Sequence, residues 1–155
     1  MLISVQRTGS YLAPTSEEDL ENIRKINHGE IYRFEFKRMR NYKFHKKYFA
    51  LLKIAYEPWQ ERAPKKEYHG ERVVTNFDSF REQLTILAGY YIPTYAIDGS
   101  VKLSPKSISF ANMSEDDFEK LYSLTIDVIL QKIDAFKHMD ESDMRKLVND
   151  VIGFS

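Results

Sequence analysis

Cysteine is absent from the 155 residues. That excludes disulfides, thiolate metal sites and a cysteine nucleophile, and it fits a reducing compartment. No apolar run approaches the roughly 20 residues that a membrane-spanning helix needs. The opening Met1-Leu2-Ile3-Ser4-Val5-Gln6-Arg7 lacks the long apolar region of a secretory signal. Together these absences predict a cytoplasmic protein with no membrane partner. The six glycines are scattered, so no glycine-rich loop is available to cradle a phosphate. No serine sits in a nucleophile elbow. Histidines occur at 28, 45, 69 and 138, and no two have metal-ligand spacing. The acid runs Glu17-Glu18-Asp19 and Glu115-Asp116-Asp117 are accounted for as helix starts. No other set of acids suggests two-metal hydrolysis. The expectation is a protein without enzymatic activity, metal or cofactor.

Aromatic residues are plentiful by contrast: ten Tyr and ten Phe against one Trp. With 43% hydrophobic residues, the composition argues against disorder. A chain of this length fits one domain, 1–155, and can bury about 70% of its unfolded surface. The net charge of zero hides an uneven distribution. Residues 33–53 hold eight Lys/Arg and one acid, a local excess of +7, whereas 114–150 hold ten acids and five bases, a local excess of −5. One reading is a polyanion-binding face set apart from an acidic one; the other is that the two regions neutralise each other in the fold.

The pattern along the chain predicts an α+β fold: a small, mostly antiparallel sheet with four to five helices. Leu2 to Arg7 is strand-like and turns at Thr8-Gly9-Ser10. Thr15-Ser16 followed by three acids starts a helix that Gly29 would stop. Ile31 to Phe36 is strand-like from its aromatic and β-branched content. Asn41 is placed to cap a helix reaching about Glu57, before Pro58, with Phe44, Tyr48, Leu51, Leu52 and Ala55 on one face and Lys43, Lys46, Lys47 and Lys53 on the other. Residues 60–73 form a polar, mobile loop. A helix follows from Asn76 or Asp78 to about Ala88, with Phe77, Phe80, Leu84 and Leu87 facing inward. Tyr90 to Ile97 and Val101 to Leu103 pair across an Asp98-Gly99 turn. Lys106 to Phe110 is a short extended segment. Ser114 opens an acidic-capped helix to about Ala135, and a last helix covers roughly 142–151.

The segment with functional character is Lys37-Arg38-Met39-Arg40-Asn41-Tyr42-Lys43-Phe44-His45-Lys46-Lys47-Tyr48-Phe49. Arg38 and Arg40 point one way by period two. The lysines continue the positive surface along the following helix. Phosphates need point charges at such successive spacings, and rings such as Tyr42, His45 or Phe49 can stack on unpaired bases. The same positions also suit a plain core: Phe44, Tyr48 and Phe49 are assigned inward, and the cations are assigned to a ligand. The candidate nucleic-acid-binding set is Arg38, Arg40, Lys43, Lys46, Lys47, Lys53 and Lys106.

These residues carry a resemblance. Lys37-Arg38-Met39-Arg40-Asn41, Phe44 to Leu52, Ala88-Gly89-Tyr90-Tyr91, Asp98-Gly99 and Lys106 to Met113 look like an uncharacterised family of bacteriophage and prophage proteins, across about Gly29 to Leu130. More weakly, the order Arg38-x-Arg40, Lys46-Lys47, Phe49-Ala50 and Ser107-x-Ser109 before an acidic-capped helix is similar to the NinB/Orf family. That family comprises phage recombination mediators that form homodimers on single-stranded and branched DNA. The chain departs from that pattern at Lys43 and Phe44, where polar or acidic residues are expected, and in the gap from Ser109 to Met113. The resemblance implies a phage-encoded DNA-binding accessory protein in the host cytoplasm, dimeric, with a host single-strand-binding protein or recombinase as partner. An inhibitor of a host defence or repair enzyme, using the acidic helix as a DNA mimic, is the alternative. A structure-selective nuclease is the third reading.

Overall fold

The computed structural model describes residues 3–35 and 41–153. By their contacts they fall into two units, Met1–Lys37 and Arg38–Ser155. Among the described residues, five helices and three antiparallel two-stranded sheets make the fold α+β, as the sequence pattern predicts. The strands form three separate hairpins among the described residues, not one sheet.

In the first unit, β1 (Val5–Thr8) pairs with β2 (Tyr11–Pro14) around Gly9, whose φ of 63° a side chain would oppose. Helix α1 (Glu17–Arg24) starts on Ser16, whose hydroxyl accepts from the Asp19 amide at 3.1 Å. Asp19 is buried and does more than favour the helix dipole. Its carboxylate accepts from the Ser4 amide at 2.8 Å, the Thr15 hydroxyl at 2.9 Å and the Ser16 hydroxyl at 2.6 Å. It thereby ties the hairpin to the helix. The helix ends at Arg24, ahead of the expected stop at Gly29. Residues 30–35 form no strand: Ile31 and Phe34 are exposed, and Tyr32 closes a local turn by donating to Glu30 at 2.6 Å and accepting from the Asn27 amide. β-rich composition without a ladder to join does not make a strand. Phe36 lies outside the described residues.

The second unit is built on α2 (Tyr42–Arg62), α4 (Glu115–Lys132) and α5 (Glu141–Gly153), with α3 (Phe77–Leu87) alongside. All five residues read as the inner face of α2 are buried. They meet Phe118, Leu121, Tyr122, Ile126 and Ile129 of α4, and Met144 and Val148 of α5. Ring packing dominates: Phe44 stacks on Phe118 at 4.3 Å, and Phe118 on Tyr122 at 5.5 Å.

Helix α2 runs through Pro58 to Arg62, past the expected end at Glu57. An interior proline removes one helical hydrogen bond and costs about 3 kcal/mol. Packing one residue further on offsets this, since Trp59 lies 4.9 Å from Phe80 and 5.9 Å from Tyr56. The expected loop at 60–73 therefore begins as helix. It continues as a small hairpin, β3 (Glu67–Tyr68) against β4 (Glu71–Arg72), turning on His69 and Gly70 at φ 50° and 83°.

Asn41 precedes α2 in a left-handed conformation and makes no side-chain cap. Its amide instead donates to the carbonyls of Phe110 and Met113, at 3.2 and 2.9 Å, pinning the start of the helix to a 3-10 turn at Phe110–Asn112. Helix α3 begins on Asn76 as expected, but Leu87 is exposed and Thr85 takes the inward position. The Asp98-Gly99 hairpin forms as β5 (Tyr91–Tyr95) and β6 (Val101–Pro105), with Ser100 donating to Asp98 through both amide and hydroxyl. Ser114 caps α4, and Asp140 and Asp143 cap α5 reciprocally.

Candidate nucleic-acid interface

The basic run of α2 divides according to helix phase. At about 100° per residue, Lys46 and Lys53 fall within about 60° of Phe49. Lys47 falls about 160° from Phe49, on the flank of the buried stripe. Lys43 and Lys53 are exposed and Lys46 partly so. Lys47 instead turns into the protein. Its ammonium lies 3.8 Å from Glu119 and 4.7 Å from the centre of the Tyr122 ring.

The Lys47 contact belongs to a network joining α2, α4 and α5. Arg145 pairs with Glu119 and with Glu141, each at 2.8 Å, and its guanidinium lies 5.0 Å from the centre of the Tyr122 ring. Ser123 donates to Glu141 at 3.0 Å. The hydrogen bonds from Arg145 and Ser123 hold the Glu141 carboxyl below its ordinary value. Burial opposes the charge on Arg145, but Glu141 and Glu119 outweigh it and raise its pKa. Burial pushes the Tyr122 phenol up to about 12, against the pull of Arg145. Elsewhere in the acidic region, Asp117 is held by the cap on Ser114 and Asp134 by Lys137. Of these pairs, Lys47–Glu119 joins the basic run to the acidic region, and the others lie within the acidic region itself.

On the other side of α2, three rings follow one another along the helix. Tyr42 and His45 stack with centres 6.4 Å apart, and His45 and Phe49 with centres 4.4 Å apart. Phe110 meets His45 edge-on at 5.6 Å. His45 and Phe49 of this row border an open cleft of about 460 Å³ between α2, α3 and residues 105–111. Arg81 and Lys106 bring positive charge to the cleft, while Ser107 and Ser109 bring hydroxyls. Arg81 keeps a loose contact with Asp78 at 3.7 Å, and Lys106 makes no ion pair among the described residues. Across the segment 106–109 lies a second cleft of about 420 Å³, bordered by Tyr90, Met113 and Asp117. Burial, then the nearby Asp117, raises the Tyr90 pKa.

Of the seven candidate residues, Lys46 and Lys53 lie beside the row of rings and Lys106 lies on the cleft. Lys43 is on the exposed flank, and Lys47 is held by Glu119. Arg38 and Arg40 lie outside the described residues. Arg81 was not among the candidates, because nothing in the phase of α3 distinguishes an arginine that borders a cleft from one in water. Among the described residues no group of three or more His, Asp or Glu is placed to hold a metal ion, and no helix is long and apolar enough to cross a membrane. No curated protein and no solved structure matches the chain. A family model does match, over residues 2–65 and 61–154, and the chain belongs to that family, described as protein of unknown function (DUF1367).

Proposed function

We propose that this is a phage-encoded DNA-binding accessory protein that takes up single-stranded or branched DNA without cutting it. The observation that carries the reading is the row of Tyr42, His45 and Phe49, stacked in series on the face of α2 that also bears Lys46 and Lys53. Rings offer sequence-tolerant stacking, and lysines beside them offer phosphate contacts at intervals; that pairing characterises single-strand binding. Lys43 and Lys106 extend the positive surface, and Arg38 and Arg40 precede it in the chain. Similarity to the phage recombination mediators supports the same reading, with a homodimer as the working form and a host single-strand-binding protein or recombinase as partner. Exposed Tyr91, Tyr95, Val101 and Leu103 on the β5–β6 hairpin supply apolar surface for self-association. The caps and ion pairs that occupy Asp117, Glu119, Asp134 and Glu141 favour this reading over an acidic DNA mimic.

The test is binding of labelled single-stranded, duplex and forked DNA at several salt concentrations. Affinity for the single strand is expected to fall with salt, with a log–log slope near −0.7 per phosphate contact. The Lys43→Ala/Lys46→Ala protein should flatten that slope by about 1.4. Unchanged affinity and slope in this folded variant and in Arg38→Ala/Arg40→Ala would overturn the reading. With Mg²⁺ or Mn²⁺ every DNA substrate should stay intact. Light scattering should report a dimer in place of an 18.3 kDa species.

A further inference from the structure

The cleft beside the ring row has features that non-specific strand binding does not require. It is concave, of a size typical for small-ligand sites, and its lining combines rings with charged and hydroxyl groups. His45 and Phe49 stack on each other, and Phe110 packs at right angles to His45. Across from them, Lys106 and Ser107 sit on the connector that leaves β6, and Arg81 projects from α3. The Ser107 hydroxyl makes no hydrogen bond and Lys106 no ion pair among the described residues, so both can serve a ligand without breaking a contact in the protein. The connector is fixed at both ends: the Lys106 amide donates to the Tyr90 carbonyl at 3.0 Å, and the Phe110 and Met113 carbonyls accept from the Asn41 side chain at the start of α2, at 3.2 and 2.9 Å. The segment bearing Lys106 and Ser107 is therefore held in place relative to the rings of α2.

A flat ring with an anion attached matches this arrangement. Resting on the proposed binding of single strands, we propose that the cleft accepts one unpaired nucleotide of the strand, its base against the His45–Phe49 stack and its phosphate on Lys106, Arg81 and Ser107. The open phosphate surface of α2 would carry the neighbouring nucleotides, while this one is withdrawn from the stack. Glu82 also lines the cleft and offsets part of the positive charge that Arg81 and Lys106 bring to it.

The experiment titrates the ¹⁵N-labelled protein with thymidine 5′-monophosphate, thymidine, inorganic phosphate and a thymidine oligonucleotide. The monophosphate should shift the amides of 106–111 saturably, and it should bind more tightly than either thymidine or phosphate. Lys106→Ala should weaken it by about tenfold, the loss of one charge-assisted hydrogen bond. The same substitution should weaken the oligonucleotide by less, because the α2 lysines remain. If the oligonucleotide binds and shifts α2 while residues 106–111 stay unmoved with every probe, the nucleotide cleft is wrong and strand binding stands. If the monophosphate saturates the cleft but the oligonucleotide does not bind, the ligand chemistry holds and the strand-binding function falls. Absence of saturable binding by any of the four probes overturns both.

Discussion

Lys46 and Lys47 are neighbours in the chain and have opposite roles. Lys46 shares a face with Phe49 and the ring row, whereas Lys47 reaches Glu119 and the Tyr122 ring. A basic run read as a sum of charges treats the two as equal. Helix phase separates them, because one residue turns the side chain by about 100° and so moves it from the ligand side to the core side. The Lys47 flank is a stability device built of ion pairs over an aromatic ring. The Lys46 face is surface with rings beside it. The two sides of α2 should therefore respond differently to substitution, one in folding and the other in binding.

The largest effect belongs beneath both faces. Phe118 is fully buried between Phe44 and Tyr122 and holds α2 against α4. Phe118→Ala should cost about 3–5 kcal/mol, the usual loss for a buried ring, and lower the urea midpoint accordingly. A loss below about 1 kcal/mol would show that the stack is not the centre of the second unit.

Next comes the charge network on the Lys47 flank. Arg145→Met removes both ion pairs and the contact with the Tyr122 ring. Glu119 and Glu141 are 45% and 40% exposed, so solvent screening holds the expected loss to about 1–2 kcal/mol. Glu141 is depressed in the folded state, so its contribution is present above the ordinary carboxylate range and is lost as pH falls through the lowered value. The stability gap between the native protein and Arg145→Met should therefore narrow on acidification. A gap that stays constant across that range would assign the stabilisation to packing of the arginine stem.

Tyr48 gives a smaller effect of opposite sign. Its hydroxyl is buried and makes no hydrogen bond of ordinary geometry. Burial raises its pKa, and the neighbouring Thr125 and Thr85 hydroxyls pull the other way. Both threonines already donate to their own helices, at Leu121 and Arg81. Tyr48→Phe removes a poorly satisfied polar group at nearly constant shape, so stability should stay level or rise by up to about 1 kcal/mol. A loss of that size in thermal unfolding would place a real hydrogen bond at this hydroxyl.

Much of the fold was legible because it rests on local pattern. The inner face of α2, the Ser16, Asn76 and Ser114 caps and the Asp98-Gly99 hairpin all follow from spacing and residue chemistry within a few positions. What was illegible depended on distant partners. Pro58 reads as a helix end until Trp59 meets Phe80. Asn41 reads as a cap until Phe110 and Met113 supply carbonyls from about 70 residues away. Asp19 reads as a dipole acid until Ser4 returns to it. The candidate site divides in the same way: the cations were visible from spacing, while the diversion of Lys47 and the arrival of Arg81 and Ser107 at the cleft required tertiary contacts.

The sharpest comparison is the matched pair Lys46→Ala and Lys47→Ala, measured in two assays. Lys47→Ala removes a 3.8 Å ion pair and a cation over the Tyr122 ring, with its side chain only 22% exposed. Partly buried contacts of this kind are worth about 0.5–1 kcal/mol, which urea unfolding resolves. Lys46→Ala removes a cation that makes no ion pair among the described residues, so its stability should move by less than about 0.5 kcal/mol. In DNA binding the order should reverse. Lys46→Ala should flatten the salt slope for single strands by about 0.7, and Lys47→Ala should leave it near the native value, because that ammonium already faces Glu119. If both variants change the slope equally, the Glu119 contact opens when DNA arrives and the two flanks of α2 form one surface. If neither changes it, the helix contributes no phosphate contact and the basic run serves the fold alone.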